Sequence, residues 1–228
     1  MRILGIDTST KYAGVAVLED GILLAQSTMQ FMASHSEKIL PEIAHILEIM
    51  NIPIETIDYY AITVGPGSFT GLRVGISTIK GLCFVTQKKV VPVSTLEVIA
   101  WQFPYCEYQI CPMLDARKKE VYTALFRWKN EKITRIKEDS VLGIDALIEW
   151  IKEKTIFVGK GAEIYRGILI EKLDSYAILS PLIYSVPNPQ VVAYIGLQRI
   201  NESLDVKNLK PKYLRKSEAE MKIAPSRI

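Results

Sequence analysis

Residues 61–85, AITVGPGSFTGLRVGISTIKGLCFV, leave a folding chain few choices. The β-branched run from Ala61 to Val64 suits a buried strand. Gly65-Pro66-Gly67 ends it, because glycine admits φ > 0 and proline cannot continue a ladder. Ser68 is a good helix N-cap. Phe69, Leu72, Ile76, Ile79 and Cys83 then recur at helical spacing as an apolar stripe. Gly71, Gly75 and Thr78 make a second stripe of small residues. Each glycine costs about 1 kcal/mol of helix stability relative to alanine, so propensity does not account for them. A helix that another helix approaches very closely does. A glycine loop between strand and helix can also cradle phosphate. This loop has Leu72 and Arg73 where a P-loop needs Lys-Ser/Thr, it does not fit GxGxxG, and Pro66 removes a donor. A structural turn carrying a partner-facing helix is the better reading.

Arg2 to Asp7, Tyr12 to Leu18 and Ile22 to Gln30 read as three strands, with Glu19-Asp20-Gly21 as a hairpin turn and antiparallel pairing throughout. Residues 35–50 are helical in pattern. Their apolar arc (Ile39, Ile43, Ile46 and Met50, with Leu40, Ala44 and Leu47 beside them) is wider than one sheet face requires. Pro41 is tolerable in a first turn. Two successive helices thus have apolar or small surface to spare, which is how interfaces are marked. Val90 to Val93 reads as a strand and Thr95 to Phe103 as a helix. Then the opening pattern returns: Gln109 to Leu114 ends in Asp115 as the first strand ends in Asp7, and Ala116-Arg117-Lys118-Lys119 stands where Thr8 to Lys11 stood. Strands at Glu120 to Trp128 and Lys132 to Lys137 follow. A helix capped by Asp145 runs to Lys154, then a strand from Thr155 to Val158 and a helix near Ala162 to Lys172. The order βββαβα therefore occurs twice, an internal duplication. This divides the chain into an N-terminal lobe at 1–104 and a C-terminal lobe at 105–186. A long amphipathic helix at 187–204 packs back on the first lobe, and a basic tail at 205–228 places Lys207, Lys210, Lys212, Arg215 and Lys216 around Tyr213. A basic run with one aromatic can touch RNA, but such runs are more often simply solvated.

Composition excludes several classes. A net charge of +3 is too small for nucleic-acid binding by overall charge alone. Three cysteines, Cys83, Cys106 and Cys111, without a CxxC indicate neither a disulfide framework nor a zinc site, but buried thiols in a reducing, cytoplasmic compartment. No signal-peptide core or membrane-spanning run is expected. The two histidines, His35 and His45, lack metal-ligand spacing, and no GxSxG is present. The best-placed carboxylates are Asp7 and Asp115. In a duplicated nucleotide-binding fold they would face the cleft and hold a hydrated magnesium ion; otherwise they cap their turns.

GIDTST at 5–10, HSEKILP at 35–41, GPGSFTGLRVG at 65–75, LDARKKEVY at 114–122 and PKYLRKSEAE at 211–220 resemble, in the same order, the TsaB family, also called YeaZ. The resemblance implies an α/β chain with the actin-like ATPase (ASKHA) fold in two duplicated lobes. It implies a part in forming N6-threonylcarbamoyladenosine at position 37 of tRNAs that read ANN codons. That part is the non-catalytic subunit that binds and activates the TsaD transferase. TsaE joins the complex, tRNA is reached only indirectly through it, and a homodimer forms when TsaD is missing. The implied partner surface lies on the N-lobe helices at Leu40, Ile43, Leu47, Gly71, Leu72, Gly75, Thr78 and Ile79. Gly75→Leu is then expected to spare the isolated fold and prevent association. TsaD-like chains carry His-x-x-x-His after the strand that here is Val90 to Val93. The matching positions are Thr95 and Ile99, and isoleucine cannot ligate a metal. The resemblance therefore implies no catalytic residue, no metal and no cofactor, with nucleotide only at a surface shared in the complex. Asp7, Thr8, Ser9 and Asp115 remain as a vestigial nucleotide cleft. The rival reading is an enzyme in its own right, an ATPase or kinase of this fold using Asp7 and Thr8 to Thr10, or a glycoprotease.

Overall fold

A computed structural model describes residues 1–30 and 38–215. The expected helix start at His35, the first residues of HSEKILP, and the tail from Lys216 onward lie outside the described residues.

The opening hairpins build the first sheet. β1 (Arg2–Asp7) pairs antiparallel with β2 (Tyr12–Glu19), and β2 with β3 (Ile22–Gln30). Asp20 and Gly21 both take positive φ, +50° and +84°, as a type I′ turn requires. α1 (Ile39–Ile49) leads to β4 (Tyr59–Gly65), α2 (Phe69–Thr86), β5 (Lys89–Ser94) and α3 (Thr95–Ala100). Pro41 falls in the first turn of α1, where its missing N–H costs nothing. β4 and β5 add in parallel, giving the sheet order β3-β2-β1-β4-β5.

The second half repeats this construction. β6 (Gln109–Asp115), β7 (Glu120–Lys129), β8 (Lys132–Gly143), α4 (Ile144–Trp150) and β9 (Thr155–Val158) are followed by α5 (Lys160–Ile164), α6 (Arg166–Leu173) and β10 (Ala177–Leu179). Its sheet order, β8-β7-β6-β9-β10, matches the first strand for strand. Each sheet therefore has a fifth strand beyond the βββαβα unit. Two mixed five-stranded sheets with this shared order form the actin-like ATPase architecture.

Several boundaries move for local reasons. β8 runs on to Gly143, so the helix after it begins at Ile144 with Gly143 as N-cap, and Asp145 sits inside the first turn. The expected helix at 162–172 is two short helices broken at Tyr165, and the long helix at 187–204 is α7 (Pro189–Gln198) followed by a separate 3₁₀ turn at Ile200–Glu202.

α1 and α2 cover one face of the first sheet, where Ile43, Ile46, Ile76 and Ile79 meet Leu4, Ile6, Val15 and Ile62. α7 covers the opposite face through Val192, Ala193 and Ile195. α4 and α6 cover the outer face of the second sheet through Leu147, Leu169 and Leu173. α3 crosses between the lobes, with Leu96, Ile99 and Ala100 packed against Ile110, Ala124 and Phe126 of the second sheet. No helix among the described residues is long and apolar enough to cross a membrane.

Candidate functional site

The glycine loop clasps the turn between β1 and β2. Ser68 N–H donates to the Ser9 carbonyl at 2.7 Å, and the Ser68 side chain caps α2 by accepting from Gly71 N–H. A Cβ on Gly67 would sit 2.2 Å from the Ser9 carbonyl oxygen. One on Gly71 would sit 2.0 Å from the Thr8 carbonyl oxygen, and one on Gly75 2.2 Å from the Thr8 hydroxyl. The small-residue stripe of α2 thus faces the Thr8–Ser9 backbone of its own lobe. This corrects the expectation that Gly71 and Gly75 admit a partner helix: no side chain fits between α2 and that turn.

The same turn seals Asp7. Its Oδ1 accepts from the Ser9 hydroxyl at 2.6 Å, the Thr63 hydroxyl at 2.6 Å and Ser9 N–H at 3.3 Å, and the residue is 1% exposed. Asp115 is exposed, and its Oδ1 accepts from Arg117 N–H at 2.8 Å. Both carboxylates are capping turns, the alternative the residue type allowed. Thr8 and Ser9 are fully buried beside Asp7. Of the four positions read as a vestigial nucleotide cleft, Ser9 and Asp115 line one interlobe cleft, whereas Asp7 and Thr8 are buried and do not join its lining. Among the described residues no group of three His, Cys, Asp or Glu side chains could hold a metal ion.

Thr95 and Ile99 lie in the lobe junction. Ile99 is wholly buried among Leu96, Ala100, Ile110 and Phe126, and burying such a side chain contributes about 1.5–3 kcal/mol. Thr95 is equally buried, and its hydroxyl has no hydrogen-bond partner among the described residues. Between them, Glu97 joins a charged cluster that ties the lobes together. It pairs with Arg199 and, at 3.5 Å, with Arg135. Arg135 also pairs with Asp139, which accepts from Lys212 Nζ at 3.1 Å and from the Ser94 hydroxyl at 3.0 Å.

Lys212 belongs to a strap, residues 209–215, that spans both lobes. Its N–H donates to the Val64 carbonyl at 2.7 Å, and Tyr213 stacks on Phe69 with ring centroids 4.2 Å apart. Arg73 Nε donates to the Tyr213 hydroxyl at 2.9 Å, and Arg215 donates to the Ala116 carbonyl at 2.9 Å and pairs with Glu120. Lys212, Tyr213 and Arg215, read as part of a solvated tail, are therefore built into the molecule. Beside the strap opens an interlobe cleft of about 790 Å³, lined by the β1–β2 turn, the start of α2, the β6–β7 turn and Lys160.

The expected partner surface changes residue by residue. Ile43, Leu47, Leu72 and Ile79 are buried in the core, as are Gly71 and Gly75. Of the eight residues only Leu40 is exposed, with Thr78 half-buried. The outward face of α2 instead presents Ser77, Gly81, Phe84 and Val85, while α1 exposes Leu40 and Ala44 on one flank of its buried stripe and Ile49 on the other. Phe84 is 76% and Val85 75% exposed, and a Cβ on Gly81 would meet nothing within 4 Å. A signal for these was legible: Phe84 and Val85 are apolar yet fall off the stripe of Leu72, Ile76, Ile79 and Cys83.

The cysteines are free. Burial raises the Cys83 thiol to about 11 and the Cys111 thiol to about 12, the latter despite a hydrogen bond with Thr123; Cys106 is half-buried.

A family model described as TsaD, tRNA N6-adenosine threonylcarbamoyltransferase, matches residues 30–223. The tRNA threonylcarbamoyladenosine biosynthesis protein TsaB of Bacillus subtilis is 29% identical over 97% of this chain and 97% of its own. The protein of the same name from Buchnera aphidicola subsp. Schizaphis graminum is 31% identical over 78% of this chain and 88% of its own. Among solved structures, YeaZ from Pseudomonas aeruginosa superposes with a TM-score of 0.76 at 24% identity, covering 93% of this chain and 99% of that one.

Proposed function

This chain belongs to the TsaB family of tRNA threonylcarbamoyladenosine biosynthesis proteins, and from that premise we propose that it serves the pathway as a non-catalytic subunit that binds and activates the TsaD transferase. The carrying observation is α3. The positions that in TsaD-like chains hold the histidine pair are occupied by Thr95 and Ile99, and Ile99 is core packing between the lobes. The burial of Asp7 supports the same reading, because a carboxylate 1% exposed and bonded to Ser9 and Thr63 is badly placed to reach a metal-bound phosphate. On this reading the rival enzyme, whether ATPase, kinase or glycoprotease, has no carboxylate to work with at Asp7.

The docking surface is the outward face of α2 with the exposed residues of α1, and on it Phe84 and Val85 stand beside the small Ser77 and Gly81. A stable interface buries about 1,600 Å² in total, and this face is where such an area is available without unpacking the core. Activation follows if docking favours the TsaD conformation competent for transfer, which requires tighter binding to that conformation than to the other. TsaE and tRNA join through the complex, any nucleotide lies at a shared surface, and the same face pairs two copies of this chain when TsaD is absent.

The test combines purified chain, TsaD and unmodified tRNA. The chain alone yields no modified nucleoside, the pair does, and Ser77→Glu/Phe84→Glu removes the stimulation while circular dichroism stays unchanged. Turnover by the chain alone, or full stimulation by the variant, sinks the proposal.

A further inference from the structure

The interlobe cleft concentrates positive charge that the whole chain does not show. Lys11, Arg117, Lys118, Lys160 and Arg215 line it, with Asp115 as the sole acidic residue of the lining. Arg215 is matched by Glu120. Among the described residues Lys11, Lys118 and Lys160 have no carboxylate within ion-pairing distance, and all three are exposed. They arrive from three separate elements: the β1–β2 turn, the β6–β7 turn and the start of α5. Convergence from three elements is not the pattern of an ordinary solvated charge run.

The β6–β7 turn holds its cations at a cost. Arg117, Lys118 and Lys119 take consecutive left-handed φ values of 58°, 51° and 61°. Each such non-glycine residue costs on the order of 1–2 kcal/mol. Asp115 and the backbone pairs Ala116–Glu120 and Glu120–Arg117 hold the turn in place. One half-buried ring stands among the charges: Tyr12 lines the cleft, whereas Tyr122 behind it is only 8% exposed and Phe69 is already stacked on Tyr213. The amides of Phe69 and Thr70, at the first turn of α2, have no intrahelical acceptor and lie in the same wall.

A cleft whose unpaired lysines arrive from three elements, with Asp115 as its one carboxylate, suits phosphates spaced along a strand. We propose that this cleft is a groove for a single strand of RNA, with Lys11, Lys118 and Lys160 on the phosphates and the Tyr12 ring against a base. The proposal deepens the reading given under Proposed function: this chain grips the tRNA directly rather than only through its partner.

The test is fluorescence anisotropy of the full chain with a labelled single-stranded RNA 12-mer and with unmodified tRNA, titrated across potassium chloride concentrations. The chain is expected to bind both with a clear salt dependence. Lys118→Glu/Lys160→Glu is expected to weaken binding at least about tenfold and to lower the slope of log K against log salt by about 1.4, the loss of two single-strand phosphate contacts. Lys132→Glu, on the far turn of the same hairpin sheet, leaves both unchanged. No salt-dependent binding by the unaltered chain, or undiminished binding by the double variant, overturns the proposal. Displacement of the RNA by magnesium-free ATP at equal phosphate concentration overturns it too, since the cleft is then a mononucleotide site. TsaD capture measured on the same variants reports on the proposed function alone: the groove can fail while capture survives, and the reverse.

Discussion

Glycine serves opposite ends within a single helix here. Gly71 and Gly75 are pressed against Thr8, whereas Gly81 faces open space. Gly75→Ala is expected to cost about 1–3 kcal/mol, the usual cost of overpacking, and Gly75→Leu more, so that it unfolds the N-lobe rather than merely blocking association. Gly81→Ala adds helix propensity with nothing to clash against, and is expected to gain up to about 1 kcal/mol. Urea denaturation of the three variants reads both signs; equal effects at 75 and 81 would mean that α2 is packed otherwise. The thiols make a second case. Folded Cys83 and Cys111 titrate at about 11 and about 12, above the ordinary value of 9.0. Burial favours the neutral thiol, so this contribution to stability is complete below pH 9.0 and declines as pH climbs toward the folded values. Iodoacetamide at neutral pH is expected to label Cys106 and spare the other two until the chain is unfolded.

Among the elements, α3 carries the proposed non-catalytic role. It begins directly after β5 and sends Leu96, Ile99 and Ala100 into the second lobe's core. Thr95→His/Ile99→His introduces two imidazoles without creating a site. It is expected to lose about 2–5 kcal/mol by placing polar rings in that core, and to bind no stoichiometric zinc in calorimetric titration. α2 carries the contrary lesson. Its periodicity was legible, as were its cap at Ser68 and its two stripes, yet the sequence left open which neighbour fills the small stripe. The two readings, a partner helix or a turn of the same chain, demand the same residues. The β6–β7 turn was legible as a polar counterpart of residues 8–11, but its left-handed run was not, because no glycine marks it.

Across the whole molecule, the lobes exchange covering elements. α3 of the first lobe packs on the second sheet, α7 of the second half packs on the first sheet, and the strap at 209–215 ties both. The charged cluster of Glu97, Arg135, Asp139, Arg199 and Lys212 sits at this junction, with the Asp139 side chain fully buried. Removing one member of such a cluster leaves uncompensated charge in a poorly solvated place. Asp139→Ala is therefore expected to cost about 3–5 kcal/mol. Tyr213→Ala is expected to speed amide exchange at 209–215 with little change in either sheet, since it releases the strap from Phe69 and Arg73 at the start of α2 only.

Strand and helix order, the duplication, and the family through its five motifs were legible in the residues alone, because periodicity and turn chemistry are local properties that survive without knowledge of neighbours. Tertiary structure alone decided that the glycines of α2 meet Thr8, that Asp7 is spent on Ser9 and Thr63, and that lysines at 11, 118 and 160 share one cleft. Those outcomes depend on which surfaces distant stretches of the chain bring together, and a face records only that something fits it, not what.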